Sequence, residues 1–482
     1  MNHPVHHQNP EIQSPSWANN LADLQREHGY EPLHVEGELP ASLQGTLFRN
    51  GPGRYSMPDG PSQRRPIEHW FDGLGAVSSV RFDQGKAEGA VRLVRPTSLA
   101  GEEEDGQRRQ WGFGTPPSGW WRRFSRKSRN SANTSVLGIN GRLFALYEAN
   151  MPVELSREDL ITIGETSFNG VIPQCFSAHP HRVDALKTTF NFGSRWAMQP
   201  MLDVFAIPDG QLPRCITSIP LDGIPLIHDF IATETHIIFI IPPVRLDRIA
   251  QLLGKNTPVQ NLKWRPALGT EVVAIPIDDP HSVTRFTIDP FWLWHTTNAY
   301  NDGEDIVLDF IHYNNFDSMD WLDDILHKRP NKPAHGFPAR MRLNLAKKAA
   351  KIDVVSDVEC EFPKVSAQVE GRRHSTIWAA AHTDATAAAS GVQNALCRHD
   401  TIRNKSELFT FGDHDFLSEP IPVTKADATH ENDVWILSLA YNAKRHASYM
   451  GILDGKNPSA GLVAKVWFDQ NIPYTFHGQW IK

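Results

Sequence analysis

A long succession of strand-length segments constrains the fold of this chain more than any other feature. Apolar or alternating segments of about four to eight residues recur from about residue 45 to residue 468, separated by Asp-Gly, Asn-Gly, Pro or Asp-Pro turn signals. Asn140-Gly141 is the dipeptide best suited to a type I′ turn, and it predicts the clearest hairpin, between residues 136–139 and 142–147. We therefore expect an all-β protein built mainly from antiparallel strands.

Helical periodicity is scarce by comparison. Besides a short helix predicted around Trp17 to Glu27, only Arg245 to Leu253 and Asp317 to Lys328 have a helical pattern, and both lie between predicted strands. Residues 1–40 are polar and contain several prolines, so we expect an N-terminal arm laid over the rest of the protein. Residues 41–482 are predicted to form a single large domain.

No linker or shift in composition divides the predicted strands into blocks. A chain of 482 residues without such a boundary is more economically one large assembly than several small ones. A closed barrel of so many strands would have a wide lumen to fill, whereas a β-propeller arranges four-stranded blades around a central channel. We predict a β-propeller with helical and loop insertions, although no short repeat signature marks the blades.

Composition limits the environment and the partners. A net charge of -7 gives no reason to expect nucleic acid as a partner, because phosphate binding requires concentrated basic charge. The four cysteines show no CxxC spacing, which argues against a disulfide framework and against a thiolate metal site. The first residues lack the basic and apolar regions of a secretory signal, and the apolar run Ile237–Val244 is too short to span a bilayer. We expect a cytoplasmic protein.

One predicted hairpin, within residues 288–315, aims an imidazole inward. His295 ends an apolar segment in which Trp292 and Trp294 point to the opposite face, and residues 301–303 supply the following turn. We expect His295 to lie at the mouth of this hairpin and the two tryptophans to pack within a blade. A single histidine in such a place is more often a hydrogen-bonded core residue than a metal ligand.

Other histidines occupy comparable positions at predicted strand ends: His179, His228 and His477. The interval between His295 and His477 is the longest, and Glu361 and Glu419 fall within it in similar settings. When these two glutamates are counted with the four histidines, one such residue occurs in about every blade-sized segment of the chain. This is the pattern that a propeller with a site on its central axis would produce.

Short motifs spread over nearly the whole chain carry a family resemblance. They are GTLFRNGPG at 45–53, HWFDG at 69–73, ANT at 132–134, SAHP at 177–180, IHDF at 227–230, HTTNA at 295–299, EFP at 361–363, SEP at 418–420 and HG at 477–478. In this order they resemble the carotenoid cleavage oxygenases. That family includes bacterial apocarotenoid oxygenases, plant carotenoid dioxygenases, lignostilbene dioxygenases and the retinoid isomerase of the eye.

The resemblance implies a seven-bladed propeller with its insertions capping a metal-bearing face. It implies ferrous iron held by four neutral imidazoles, those of His179, His228, His295 and His477. By similarity, each of three glutamates accepts the far N–H of a ligand histidine: Glu148, Glu361 and Glu419. Ferrous iron suits imidazole ligands, and four of them leave positions open for O2, while the glutamates offset the charge and fix the tautomers.

Several residues near these motifs have simpler interpretations. Thr134 has the family position close to the metal's open site, but a buried threonine that satisfies backbone groups fits the local sequence equally well. Without the resemblance, Glu148 would be an exposed charge at the end of a strand. His181 can share a face with His179 on an extended strand, yet the SAHP motif selects His179. We expect structural roles for the other strand histidines: His181, His236, His312 and His382.

The implied activity is O2-dependent cleavage of a conjugated C=C bond in an apocarotenoid or carotenoid, giving two carbonyl products. The lignostilbene-cleaving subgroup grips a phenolic substrate with a tyrosine and a lysine, and the matching positions here hold Leu99 and Arg129. Because leucine cannot hydrogen-bond a phenolate, this match favours an apocarotenoid over a stilbene. Stilbene or phenylpropanoid cleavage, isomerisation, a zinc-dependent propeller hydrolase or lactonase, and a binding module remain the alternatives.

Two segments combine apolar side chains with basic ones. Residues 111–129 hold three tryptophans and two phenylalanines among five arginine and lysine residues, and residues 237–253 are apolar and end in RLDRIAQLL. Such segments suit the headgroup level of an anionic membrane, from which an apolar substrate would be extracted. The alternative is a loop that packs its tryptophans against the propeller.

Overall fold

Strands and tight turns alternate along the chain to form a seven-bladed β-propeller. The computed structural model describes residues 15–60, 63–124, 127–254, 256–328 and 334–482. Seven antiparallel sheets of four to six strands account for the blades, which confirms the predicted all-β, seven-bladed architecture. At the hairpin predicted from Asn140-Gly141, both residues have positive φ, as a type I′ turn requires.

The strands of the first four blades are as follows. Blade 1 contains His28–Pro32, Lys86–Leu93, Leu74–Asp83, Gly45–Arg54 and His477–Ile481. Blade 2 contains Thr162–Glu165, Val153–Leu155, Arg142–Leu146 and Ser135–Ile139. Blade 3 contains His181–Val183, Thr188–Arg195, Met201–Pro208 and Arg214–Pro220. Blade 4 contains Ile231–Ala232, His236–Ile241, Thr270–Pro276 and Thr284–Ile288.

The remaining blades complete the ring. Blade 5 contains Thr296–Asp302, Asp305–His312, Phe337–Asn344 and Ala349–Val354. Blade 6 contains Cys360–Lys364, Thr376–Ala381, Ala395–Asp400 and Lys405–Phe409. Blade 7 contains His34–Gly37, Leu462–Trp467, Ala447–Asp454, Val434–Asn442, Asp415–Leu417 and Ile421–Thr424. Two small ribbons lie outside the blades: Ser56–Pro58 with Arg64–Pro66, and Val244–Leu246 with Leu262–Trp264.

The two ends of the chain close the ring. The N-terminal strand His34–Gly37 pairs with Leu462–Trp467 in blade 7, and the C-terminal strand His477–Ile481 pairs with Gly45–Arg54 in blade 1. The described part of the predicted N-terminal arm, residues 15–40, therefore contributes strands to the propeller as well as covering it. Each of these two blades therefore contains strands from both ends of the chain, and their backbone hydrogen bonds hold the ring closed.

Helices are short and lie in the connections. The α-helices are α1 (Thr97–Asp105), α2 (Arg248–Leu252), α3 (Pro258–Asn261), α4 (Ser318–Leu326) and α5 (Ala385–Ser390). The 3-10 helices are Ser16–Asn20, Trp70–Asp72, Trp120–Phe124, Asp184–Leu186, Pro266–Leu268, Ala367–Val369 and Pro458–Ala460. None of the helices in the described ranges is long and apolar enough to cross a membrane.

The helix predictions need correction in three places. The predicted helix around Trp17 to Glu27 is a single 3-10 turn over Ser16–Asn20, because Leu24 then donates its N–H to Gly53 of blade 1. Within the second predicted helix, Arg245 belongs to a strand, and α2 starts only after Asp247 caps it. Helices α1, α3 and α5 were not predicted, since short helices carry little periodic signal.

The hydrophobic core is divided among the interfaces between neighbouring blades. Each blade presents alternate side chains of its strands to the blades on either side, and one such interface joins blades 3 and 4. There Phe192, Phe230 and Phe239 form edge-to-face and stacked pairs with ring centroids 5.2 to 5.5 Å apart. This packing fixes the inner strands, which carry the candidate site residues.

Candidate metal centre and cavity

Four histidines that are distant in sequence meet at the centre of the propeller. Each lies at or just before the start of the edge strand that its blade places toward the centre: His179, His228, His295 and His477. Their ligand atoms all lie within 4.8 Å of one another. The Nε2 atom of His295 is 3.2 Å from that of His228 and 3.1 Å from that of His477.

Three glutamates hold the outer nitrogens of these rings. The Nδ1 atoms of His228 and His295 contact the carboxylates of Glu148 and Glu361, and Nδ1 of His477 lies 2.9 Å from Oε1 of Glu419. Because a carboxylate can only accept, each Nδ1 carries a hydrogen, and in the neutral ring each Nε2 carries a lone pair. The lone pairs of the three rings therefore converge on one point.

His179 differs from the other three. Its Nε2 atom lies 4.0 Å from Glu148 and is buried without a hydrogen-bond partner in the described part of the chain. Among the described residues, no glutamate approaches the His179 ring as closely as those that hold the other three rings. The structure thus brings together all four predicted histidines and pairs three of them with the three predicted glutamates.

Burial keeps two of the four histidines neutral. Burial and the neighbouring imidazoles lower the pKa of His179 well below its ordinary value. Burial also lowers the pKa of His477 to about 4, although Glu419 opposes the shift. Burial lowers the pKa of His295 too, but the carboxylate of Glu361 outweighs it and the net pKa is raised. His179 and His477 are neutral at pH 7, which is the protonation state that metal binding requires.

The carboxylates have further partners that hold them in place. Glu361 accepts hydrogen bonds from the Tyr313 hydroxyl at 2.8 Å and from the backbone N–H of Phe362. Glu419 is fully buried, and its pKa is lowered because Lys364, His477 and Arg49 together outweigh the effect of burial. The Nζ atom of Lys364 lies 3.1 Å from Oε1 of Glu419.

A large cavity opens against the histidines. Its volume is about 850 Å³, and its wall includes His228, His295 and His477. Most of the lining is apolar, with aromatic side chains that include Trp70, Phe71, Trp111, Phe113, Trp196, Trp294 and Phe476. Helices α2 and α4 contribute to the wall, so these insertions cap the face that carries the four histidines. The cavity suits an extended apolar molecule.

Thr134 lies in the same cavity wall. Its hydroxyl donates to Oδ1 of Asn133 at 3.2 Å, and its backbone carbonyl accepts from the N–H of His477 at the same distance. Thr134 is therefore tied to the strand that carries one of the four histidines. Its predicted influence on binding at the metal remains a prediction.

Trp294 requires a correction. We expected Trp292 and Trp294 to pack within a blade, and Trp292 is fully buried in the core. Trp294, however, lines the cavity and meets the ring of His228 edge-on at 4.8 Å. The segment before His295 is not a regular strand, since only Trp292 forms an isolated bridge, with Tyr313. Trp292 and Trp294 nevertheless belong to one core cluster while Phe291 and Leu293 belong to another, so the expected period-2 alternation holds.

The remaining strand histidines separate into two groups. His181 bonds to Asp229 at 2.8 Å, outside the cluster, and His236 and His312 have structural contacts, with Thr235 and Phe291 respectively. His382 lines the cavity, and the expectation of a purely structural role missed this. No local motif marks His382.

Leu99 and Arg129 do not line the cavity. Leu99 is buried in α1, and Arg129 is buried with its Nε 2.9 Å from Glu102. The comparison of these two positions with the phenol-binding residues was therefore wrong, and it carries no argument about phenolic substrates.

The two predicted membrane segments are exposed only in part. Trp120, Trp121 and Phe124 are 60 to 75% exposed, whereas Trp111 and Arg129 of the same segment are buried. Residues 125 and 126 lie outside the described residues. In the second segment Ile237–Ile241 is a buried blade strand, and only its end is exposed, at Ile249, Leu252 and Leu253. The prediction of membrane contact was therefore wrong for the buried residues of both segments.

The chain resembles known proteins along nearly its full length. The family model of the retinal pigment epithelial membrane protein matches residues 21–482. The apocarotenoid-15,15'-oxygenase of Synechocystis is 30% identical over 96% of both chains, and the resveratrol cleavage oxygenase 1 of Aspergillus fumigatus is 25% identical over 97% of this chain and 95% of its own. A crystal structure of cobalt-substituted Synechocystis ACO superposes with a TM-score of 0.88 at 28% identity, covering 97% of this chain and 98% of that one.

Proposed function

Since the chain belongs to the carotenoid cleavage oxygenase family, we propose that it is a ferrous-iron enzyme that uses O2 to split a conjugated C=C bond of an apocarotenoid or carotenoid into two carbonyl products. The observation that carries this proposal is the convergence of four imidazoles on the wall of an apolar cavity. A metal and an apolar substrate would meet there.

The donor set fits a divalent metal. Buried Nε2 atoms only 3.1 to 3.2 Å apart, each with a lone pair, repel one another unless a cation lies between them. Neutral nitrogen ligands suit ferrous iron, and three outer glutamates offset its charge. The similar Synechocystis protein has been crystallised in a cobalt-substituted form, which supports a divalent ion at this place. When bound, iron would supply the activation of O2.

The protein's own contribution is positioning. Glu148, Glu361 and Glu419 fix the ring orientations, and Phe362 stacks on His295 with centroids 5.3 Å apart. The aromatic wall would hold a rigid polyene so that one double bond lies beside the four histidines. No side chain in the described cavity wall has to act as a general base for this reaction.

The shape of the cavity favours a long apolar substrate over a compact one. A volume of about 850 Å³ with a mainly apolar wall is more than a two-ring stilbene requires. The similar proteins include an apocarotenoid oxygenase and a resveratrol cleavage oxygenase, so their names alone do not choose between the two substrate classes. We therefore place the apocarotenoid or carotenoid first and the stilbene second.

We further propose that the protein takes its substrate from an anionic membrane surface. Phe124 and Leu252 line the cavity and are exposed, so the apolar surface is continuous with the cavity. Trp120, Trp121 and Ile249 extend this surface, and the guanidinium of Arg122 lies over the Trp121 ring at 4.6 Å. Exposed aromatics beside basic residues suit the lipid headgroup region.

One experiment tests the proposed activity. Iron-loaded protein is incubated with O2 and a panel of apocarotenals, carotenoids and hydroxystilbenes, and the products are identified by mass. Two aldehydes or ketones whose carbon skeletons sum to that of one panel member are expected. Parallel incubations without O2, and with zinc in place of iron, should give none. Hydrolysis of an added ester or lactone by the zinc protein without O2 would instead support a hydrolase or lactonase.

A further inference from the structure

Two polar side chains in the cavity wall have groups that no described residue satisfies. His382 and Gln393 both line the cavity and are only 6% and 8% exposed. Nδ1 of His382 is buried without a hydrogen-bond partner in the described ranges. The carboxamide of Gln393 also has no hydrogen-bond partner among the described residues, but it is not fully shielded from the cavity. A buried acceptor left unpaired is unfavourable, so Nδ1 of His382, in the same wall as the Gln393 carboxamide, calls for a ligand that donates a hydrogen bond.

The two residues extend from neighbouring strands of blade 6. Thr376–Ala381 ends just before His382, and Ala395–Asp400 begins shortly after Gln393. Ala381 pairs with Ala395, and the N–H of Asn394 donates to the carbonyl of Ala381 at 3.1 Å. This pairing holds both residues at the end of one hairpin. The surrounding wall contributes apolar groups from Val392 and Leu417.

The hydrogen bonding of His382 fixes its tautomer. Its Nε2 atom lies 2.9 Å from the carbonyl oxygen of Gly391, which can only accept, so Nε2 carries the hydrogen. Burial lowers the pKa of His382 to about 4, so the ring is neutral at pH 7. Nδ1 is then an acceptor only. An aldehyde or ketone oxygen cannot satisfy it, whereas a hydroxyl can.

Gln393 supplies the complementary group. A hydroxyl that donates to His382 keeps two lone pairs, and the amide NH2 of Gln393 can donate to one of them. We propose that His382 and Gln393 form a subsite that binds a hydroxyl group at one end of an otherwise apolar substrate. This inference rests on the proposed function. It narrows the substrate class to hydroxylated apocarotenoids or carotenoids, with the hydroxyl anchoring the chain so that a fixed double bond lies beside the histidines.

The test compares two ligands that differ only by the hydroxyl. Binding of an apocarotenal, and of the same aldehyde with a ring hydroxyl, is followed through quenching of tryptophan fluorescence. Wild type is expected to bind the hydroxylated aldehyde about 10-fold more tightly. His382→Phe keeps a ring in place but removes the acceptor, and Gln393→Leu removes the donor. Each should bring the affinity ratio close to one.

A control variant and a second cavity variant complete the test of the hydroxyl subsite. His236→Phe changes a partly buried histidine outside the cavity and should leave the ratio unchanged. If His382→Phe does not fold, because the bond to Gly391 is lost, Gln393→Leu carries the test. Equal affinity of wild type for both aldehydes, or a ratio that persists in the folded variants, would overturn the subsite. Absence of cleavage of either aldehyde by iron-loaded protein would instead reject the proposed function.

Discussion

The Nε2 atoms of His295 and His477 lie 3.1 Å apart, although the two residues belong to different blades. His295 directly precedes a strand of blade 5, and His477 begins a strand of blade 1. The Nδ1 atom of His295 contacts Glu361, and that of His477 contacts Glu419. Neither ring can turn away without breaking its hydrogen bond to a buried carboxylate. When both rings are neutral, their Nε2 lone pairs face each other, and a metal ion or a proton between them relieves the repulsion.

The first prediction concerns metal binding. His295→Ala should abolish bound iron and product formation, because only three imidazoles remain and Glu361 no longer holds a ligand ring. His181→Ala is the matched control, since His181 lies two residues from His179 but bonds to Asp229. Metal content after iron loading and rate of O2 consumption measure the effect. Full iron occupancy in His295→Ala would contradict the proposed ligand set.

The second prediction concerns the outer carboxylates. Glu361→Gln keeps the size of the side chain but removes the charge that holds Nδ1 of His295, and we expect metal affinity to fall by about 10–100-fold. Glu359→Gln is the control: Glu359 lines the same cavity and is placed near His335 rather than near the four histidines. Competition with a chelator measures both affinities. Equal affinities in the two variants would show that the charge of Glu361 has no part in binding.

The third prediction concerns pH and is independent of metal. Burial lowers the pKa of His69 to about 3, whereas the unfolded chain titrates near 6.5. Below the unfolded value the unfolded state binds the proton and the folded state does not, so stability falls as pH drops from about 6.5 toward 3. His69→Gln should flatten this part of the profile. Urea unfolding of the metal-free protein at a series of pH values gives the slopes, and an unchanged slope would refute the assignment.

The fourth prediction concerns the exposed apolar surface. Replacing Trp120, Trp121 and Phe124 together with serine should reduce co-sedimentation with anionic vesicles by about 10-fold or more, because each aromatic contributes apolar contact with the membrane. Ile402→Ser removes an equally exposed apolar residue on a distant turn and should change nothing. Wild-type binding should also weaken with salt. If the wild-type protein binds vesicles of no composition, the proposed membrane-binding role of this surface is rejected.

The fifth prediction separates two neighbouring tryptophans. Trp294 lines the cavity, and its Nε1–H donates to the Ser318 hydroxyl at 2.8 Å, which anchors helix α4. Trp294→Phe should raise KM about 10-fold. Trp292→Phe should instead lower the free energy of unfolding by about 1–3 kcal/mol and leave KM unchanged, since Trp292 is core. A raised KM in Trp292→Phe with an unchanged KM in Trp294→Phe would contradict the placement of Trp294 in the cavity wall.

The number of blades and most strand positions followed from local signals together with the family resemblance. Turn dipeptides such as Asn140-Gly141 fix hairpins because few conformations accommodate two residues at positive φ. The short helices escaped prediction, since a helix such as α5 owes its start to one capping residue, Asp384, rather than to a periodic pattern. Ring closure through His34–Gly37 was also hidden, because its partner strand lies at the other end of the chain.

The sequence by itself determined the all-β class and, through the family resemblance, the four histidines and three glutamates expected at the site. Only the tertiary structure decided which glutamate meets which histidine, that Trp294 and His382 face the cavity, and that Leu99 and Arg129 do not. The physical reason is that turns and alternation depend on neighbours in sequence. A cavity wall is assembled from many blades at once, and its residues are chosen by long-range packing that no local pattern records.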